Sequence, residues 1–134
     1  MDRREFLTGT GAMALVLRAS DVGAMSYQQG ATMYGLIGKM TAVGGQRDAL
    51  AAILLEGTQE MPGCLSYVVA KDPADADGLW ITEVWDSQTS HEASLKLPAV
   101  QAAIAKGRPL IAGFSNRVET VPLGGVGLAR ATAR

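Results

Sequence analysis

Between Met33 and Val121 the apolar positions repeat at two different intervals, and the switches between those intervals divide the chain into elements. Met33 to Thr41 (Met-Tyr-Gly-Leu-Ile-Gly-Lys-Met-Thr) predicts a strand with Tyr34, Leu36 and Met40 on one side, ended by Gly44-Gly45. Leu50, Ile53, Leu54, Gly57 and Met61 then recur at helical spacing, with Asp48 in the first turn, where a carboxylate suits the helix dipole. Pro62-Gly63 stops that helix. From Cys64 to Lys71, Leu65, Tyr67 and Val69 alternate with Ser66, Val68 and Ala70, which is the period of a second strand. Asp72-Pro73-Ala74-Asp75-Ala76-Asp77-Gly78 is a turn by composition, and Trp80 to Trp85 is a third strand. The carboxylates of that turn invite a calcium ion, but the glycine and terminal glutamate of a helix-loop-helix calcium loop are missing, so a solvated hairpin is expected.

Ser87 is placed as an N-cap, and Gln88 to Leu97 makes a short helix on which His91, Ser94 and Leu95 share a face. Pro98 fits the first position of a new helix better than the interior of the old one. Val100, Ala103, Ile104, Gly107 and Ile111 carry the helical period at least to Arg108-Pro109, Gly113 breaks it, and Phe114 to Val121 returns as a fourth strand. The order is β-α-β-β-α-β with the second helix broken, an α+β class fold of the ferredoxin-like split βαβ kind. Its domain spans 33–123, and a flexible glycine-bearing tail follows over 124–134. Helices cover one face of such a sheet. The apolar alternation left on the other face predicts a homodimer.

Composition narrows the function classes. The chain has 134 residues and a formal net charge of −1, with no lysine or arginine block inside the domain, which argues against a nucleic-acid partner. No run approaches the ~20 apolar residues of a membrane span, so stable membrane insertion is not expected. Cys64 is the sole cysteine, which excludes an internal disulfide and a thiolate-built zinc site, and its setting reads as that of an inert structural thiol. At the start, Met1-Asp2-Arg3-Arg4-Glu5-Phe6-Leu7 and the uncharged run from Phe6 to Leu17 resemble a twin-arginine export signal, with residues 1–25 as signal and 26–32 as linker. The protein is then periplasmic or secreted. A disordered basic start or an exposed helix is the alternative, and it would leave the protein cytoplasmic.

Chemistry concentrates in Leu79-Trp80-Ile81-Thr82-Glu83-Val84-Trp85-Asp86 and the helix that follows, which together hold both tryptophans and the only histidine. Alternation puts Glu83 and Trp85 on one side of the strand and Trp80 on the other. His91 is the candidate general base, because an imidazole ordinarily titrates near neutral pH, although a lone histidine on a helix can equally be structural. Glu83, if buried, would have a raised pKa and could relay a proton; if exposed, it would only solvate the sheet. Trp85 is either a pocket wall or plain core.

The chain resembles the antibiotic biosynthesis monooxygenase family from about Tyr34 to Leu128. The resemblance rests on Pro62-Gly63-Cys64 opening the second strand, on Glu83-Val84-Trp85, and on Leu97-Pro98 between two short helices. It implies a dimeric α+β barrel and an enzyme akin to quinol monooxygenases, which often work with no cofactor because the deprotonated substrate itself supplies electrons to O2. It further implies that the protein supplies a base and a dry cavity to a small aromatic substrate with O2 as partners, for which the residues themselves offer His91 and Glu83 as catalytic groups and Trp85, Tyr34, Tyr67 and Ser94 as the substrate-binding wall. Two departures stand out. Ser94 occupies the position, nine residues beyond the tryptophan, where family members commonly carry a histidine, and the first strand lacks the asparagine of haem-degrading relatives. A non-catalytic module that binds a small molecule in the same cavity is the alternative function, with isomerase or lyase chemistry a third class.

Overall fold

The computed structural model describes residues 32–128. The segments read as export signal and as most of the linker, and the end of the tail beyond residue 128, lie outside these. Strand β1 (Tyr34–Ala42) leads to helix α1 (Arg47–Gly57), then to strands β2 (Cys64–Lys71) and β3 (Gly78–Trp85). Helices α2 (Gln88–Ser94) and α3 (Pro98–Gly107), a 3-10 turn at Arg108–Leu110 and strand β4 (Ile111–Thr120) complete the domain. The sheet order is β2-β3-β1-β4, antiparallel throughout. That is the predicted ferredoxin-like α+β arrangement.

Register decides which side chains meet. Tyr34 lies opposite Trp85 and Leu36 opposite Glu83, while Tyr67 of β2 also faces Glu83, so these residues share the helix-facing side. Two apolar clusters form there. Tyr34, Met61, Trp85 and Val100 make one, beneath α2 and the start of α3; Ala42, Leu50, Leu79 and Ile81 make the other, beneath α1. On the opposite side, one row crosses all four strands from Val68 through Thr82 and Ile37 to Val118. Val68 and Val118 are each about half exposed in the single chain.

Element boundaries differ from the sequence expectation in three places, each for a local reason. Helix α1 ends at Gly57 rather than running to Pro62, because the Thr58 hydroxyl donates to the Leu54 carbonyl (2.7 Å) and closes the last turn. Met61 still reaches the core, but from the connecting segment. Helix α2 stops at Ser94, and the chain crosses Leu95 to Leu97 before Pro98 opens α3 at its first position, as predicted. Gly113 does not break a helix: it pairs with Thr41 inside β4, and Ile111 continued the helical spacing only because the intervening 3-10 turn returns it to the same buried side.

The acidic turn between β2 and β3 is braced rather than merely solvated. Lys39 Nζ reaches Asp72 Oδ2 at 3.1 Å and Asp75 Oδ2 at 2.9 Å, and the Trp80 indole N–H donates to Asp72 Oδ2 at 3.1 Å. Arg47 donates to the Asp75 carbonyl at 2.8 Å. These carboxylates are held below their ordinary range, Asp72 chiefly by the Ala74 backbone N–H and Asp75 chiefly by Lys39. An ammonium already sits where a cation would be sought.

Candidate active site

The junction from β3 to α2 is set by a short chain of local interactions. Gly63 takes φ 84°, a left-handed conformation suited to glycine, and its carbonyl accepts from the Asp86 N–H at 2.8 Å, tying the start of β2 to the end of β3. Ser87 is extended, and its Oγ accepts from the Ser90 N–H at 3.1 Å, the expected N-cap. That cap starts α2 at the angle that brings His91 over Trp85. The imidazole lies between two rings, with centroids 5.3 Å from Tyr34 and 5.4 Å from Trp85, the latter edge to face.

Glu83 completes the group. The Trp85 indole N–H donates to Glu83 Oε1 at 2.9 Å, and His91 Nε2 stands 3.9 Å from the same oxygen, with both side chains about 15% exposed. The second distance carries charge interaction but is too long for a direct hydrogen bond. Burial pushes the Glu83 carboxyl above its ordinary range, opposed by the Trp85 hydrogen bond and by the charges of His91 and Arg117. An exposed, merely solvating Glu83 is therefore not what the fold produces.

Glu83, Trp85, His91, Ser94 and Tyr67 all line one cavity of about 500 Å3 between the sheet and the helices. Its remaining wall is largely apolar, with Leu50, Met61 and Val100 among its residues. Ser94 is buried and donates to the His91 carbonyl at 2.6 Å, so its hydroxyl braces the helix turn that carries His91. Tyr67 projects its phenol into the burial that also pushes its pKa up. Tyr34 is placed differently from the other five. It stacks on His91 outside the cavity lining, and its OH donates to Glu119 Oε2 at 2.7 Å, which raises the phenol's pKa.

Two residues of β4 near this group were not anticipated. Glu119 receives the Tyr34 hydroxyl, and Arg117 Nη2 lies 3.6 Å from Glu119 Oε2. Strand alternation in β4 could have pointed to Glu119, but a bulge shifts the register and hides Arg117 from that pattern. Cys64 packs against the Trp85 cluster and donates through Sγ to the Ser66 carbonyl at 3.5 Å; burial pushes its thiol up to about 11. Among the described residues, no three or more His, Cys, Asp or Glu side chains gather where a metal ion could sit. No helix among them is long and apolar enough to cross a membrane.

Comparison with known proteins agrees with this geometry. Residues 33–106 match the sequence profile of the antibiotic biosynthesis monooxygenase family, which is more than half of the chain. The chain belongs to that family. A protein of Chloroflexus aurantiacus J-10-fl, described as a candidate antibiotic biosynthesis monooxygenase, is 70% identical over 72% of this chain and 98% of its own, with a TM-score of 0.70. A Pseudomonas aeruginosa protein (21% identity, TM-score 0.61, covering 69% of this chain and 96% of its own) shares the fold. So does a Mycobacterium tuberculosis protein (19% identity, TM-score 0.59, covering 70% and 98%). No curated protein matches the chain. Membership supports a monooxygenase-like function, and within the family's fold the aromatic and acidic residues at the end of β3 and the imidazole of α2 are the groups with chemistry to offer.

Proposed function

We propose that the protein is a cofactor-independent monooxygenase that oxidises a quinol or related phenol with O2. One observation carries this reading: the only imidazole of the chain and a largely buried carboxylate both border one mainly apolar cavity, steadied by two aromatic rings and an indole N–H. His91 takes the phenol proton, and Glu83, once ionised, stabilises the imidazolium that results. The phenolate then passes an electron to O2, the superoxide and phenoxyl radicals join at an unsubstituted ring carbon, and loss of water from the hydroperoxide leaves a carbonyl. Phenol plus O2 thus gives quinone plus water, with all four electrons drawn from the substrate and the oxygen of the second O2 atom leaving as water. The apolar wall limits solvent around the phenolate, and Trp85 fixes Glu83 so that little rearrangement accompanies proton transfer.

Oxygen uptake by the purified protein with a panel of hydroquinones tests this. His91→Ala should lower the rate by about tenfold or more, a loss typical of a positioned general base. Uptake unchanged in that variant would remove His91 from the mechanism. Ligand-induced thermal stabilisation without turnover would favour the binding module instead.

The same reading includes a homodimer formed by the exposed row from Val68 to Val118, supported by its half-buried valines and by the absence of helices on that face among the described residues. Sedimentation of Val68→Glu as a monomer, beside a dimeric parent, would test it. Export through the twin-arginine route is likewise our reading of Arg3-Arg4 and the uncharged run after Phe6.

A further inference from the structure

Glycine in a strand interior weakens the strand, and where it occurs it often marks a bulge or a place where something else approaches the backbone. Gly38 stands in the middle of β1 on the helix-facing row, opposite Ile81. A Cβ added there would meet nothing within 4 Å, so no neighbour among the described residues accounts for the missing side chain. The ladder to β4 opens at the same point. Ile37 pairs with Val118 and Lys39 with Ser115, leaving Asn116 and Arg117 together opposite Gly38, and Asn116 takes φ 54°. This is a two-against-one bulge.

Over it lies a second cavity, of about 330 Å3. Met40, Tyr67, Glu83 and Phe114 line both this cavity and the larger one. Glu83 therefore borders the two, with His91 in the lining of the first and Arg117 in that of the second. Strand alternation turns the side chains of Lys39 and Ser115 to the opposite face, so the wall over Gly38 is formed mainly by Leu36, Met40, Ile81 and Phe114.

We propose that this second cavity is the dioxygen subsite: O2 reaches the reacting ring over Gly38 while the phenol fills the larger cavity. The proposal rests on the monooxygenase reading above. The wall over Gly38 is mainly apolar, and a small apolar gas partitions into apolar space in preference to water, as xenon does. An aromatic substrate seated against His91 and Trp85 would obstruct the first cavity as a route for O2, whereas the second, whose lining lacks both of these residues, borders the same carboxylate. The glycine and the bulge together keep that space clear.

Xenon-pressurised crystals of the full chain and of Gly38→Leu, with oxygen-electrode kinetics on both, test the assignment. Xenon should bind over Gly38 in the parent and be lost in the variant. The variant's KM for O2 should rise by about fivefold or more while its KM for the phenol holds. Gly38→Val gives the same comparison with a shorter side chain if the leucine variant does not fold. Absence of xenon at Gly38, or an unchanged KM for O2 in a folded variant of an active parent, would overturn the subsite alone. A rise in both KM values would also overturn it, by placing part of the phenol there. No oxygen uptake by the parent with any phenol tested would overturn the monooxygenase reading itself.

Discussion

Replacing Trp85 by phenylalanine separates what the indole ring fills from what its N–H holds. The ring is fully buried beside Tyr34, Met61 and Val100, so the smaller phenyl leaves a void that costs about 1 kcal/mol. The lost N–H bond to Glu83 Oε1, 2.9 Å long and made to a group that ionises, costs about 1.5–3 kcal/mol when the carboxylate is charged. Together these predict a destabilisation of about 2.5–4 kcal/mol at about pH 8. Urea denaturation of Trp85→Phe, Glu83→Leu and the double variant isolates the bond as a coupling energy, because leucine leaves no acceptor for the indole N–H. That coupling should be about 1.5–3 kcal/mol at about pH 8 and fall to about 1 kcal/mol near pH 4, where the carboxyl is protonated and the bond is neutral. A coupling indistinguishable from zero at the higher pH would refute the idea that the indole positions Glu83.

Glu83 also makes stability depend on pH. Burial raises its folded pKa above the ordinary 4.5, so the folded chain holds this proton more tightly than the unfolded one. The contribution is complete below 4.5 and is lost as pH rises through the folded value, so Glu83→Gln should gain on the parent across that window in thermal melts. Gly63→Ala should destabilise by about 1–3 kcal/mol, through its left-handed backbone and because a Cβ would lie 2.5 Å from Ser90 Oγ; an unchanged melting temperature would contradict this. Cys64, with its thiol pushed up to about 11, should resist iodoacetamide at neutral pH in the folded protein and react on unfolding, as read by mass spectrometry.

The elements were legible where one physical signal dominated. Alternation alone placed β2 from Cys64 to Lys71, and proline geometry alone placed the start of α3. Boundaries were lost where a local hydrogen bond or a change of helix type intervened, as at Thr58 and at the 3-10 turn before Ile111. Pairing Glu83 with Trp85 needed only strand period, and placing His91 near them needed only the N-cap at Ser87. What sequence could not supply was distance across the sheet. Tyr34 was expected in the pocket wall, but only the register with β4 shows its hydroxyl bound to Glu119 and its ring beside the imidazole. Arg117 and the opening at Gly38 depend on a bulge, which inserts a residue without any change in composition that would announce it.

The proposed chemistry requires that one atom of O2 end in the product and that the imidazole start the reaction. Incubation of an active phenol with 18O2, followed by mass spectrometry of the quinone formed by the parent and by His91→Ala, measures both together. The account predicts one 18O atom per quinone from the parent, and label accumulating about tenfold or more slowly in the variant. Quinone formed without label, or at the same rate under nitrogen, would contradict it.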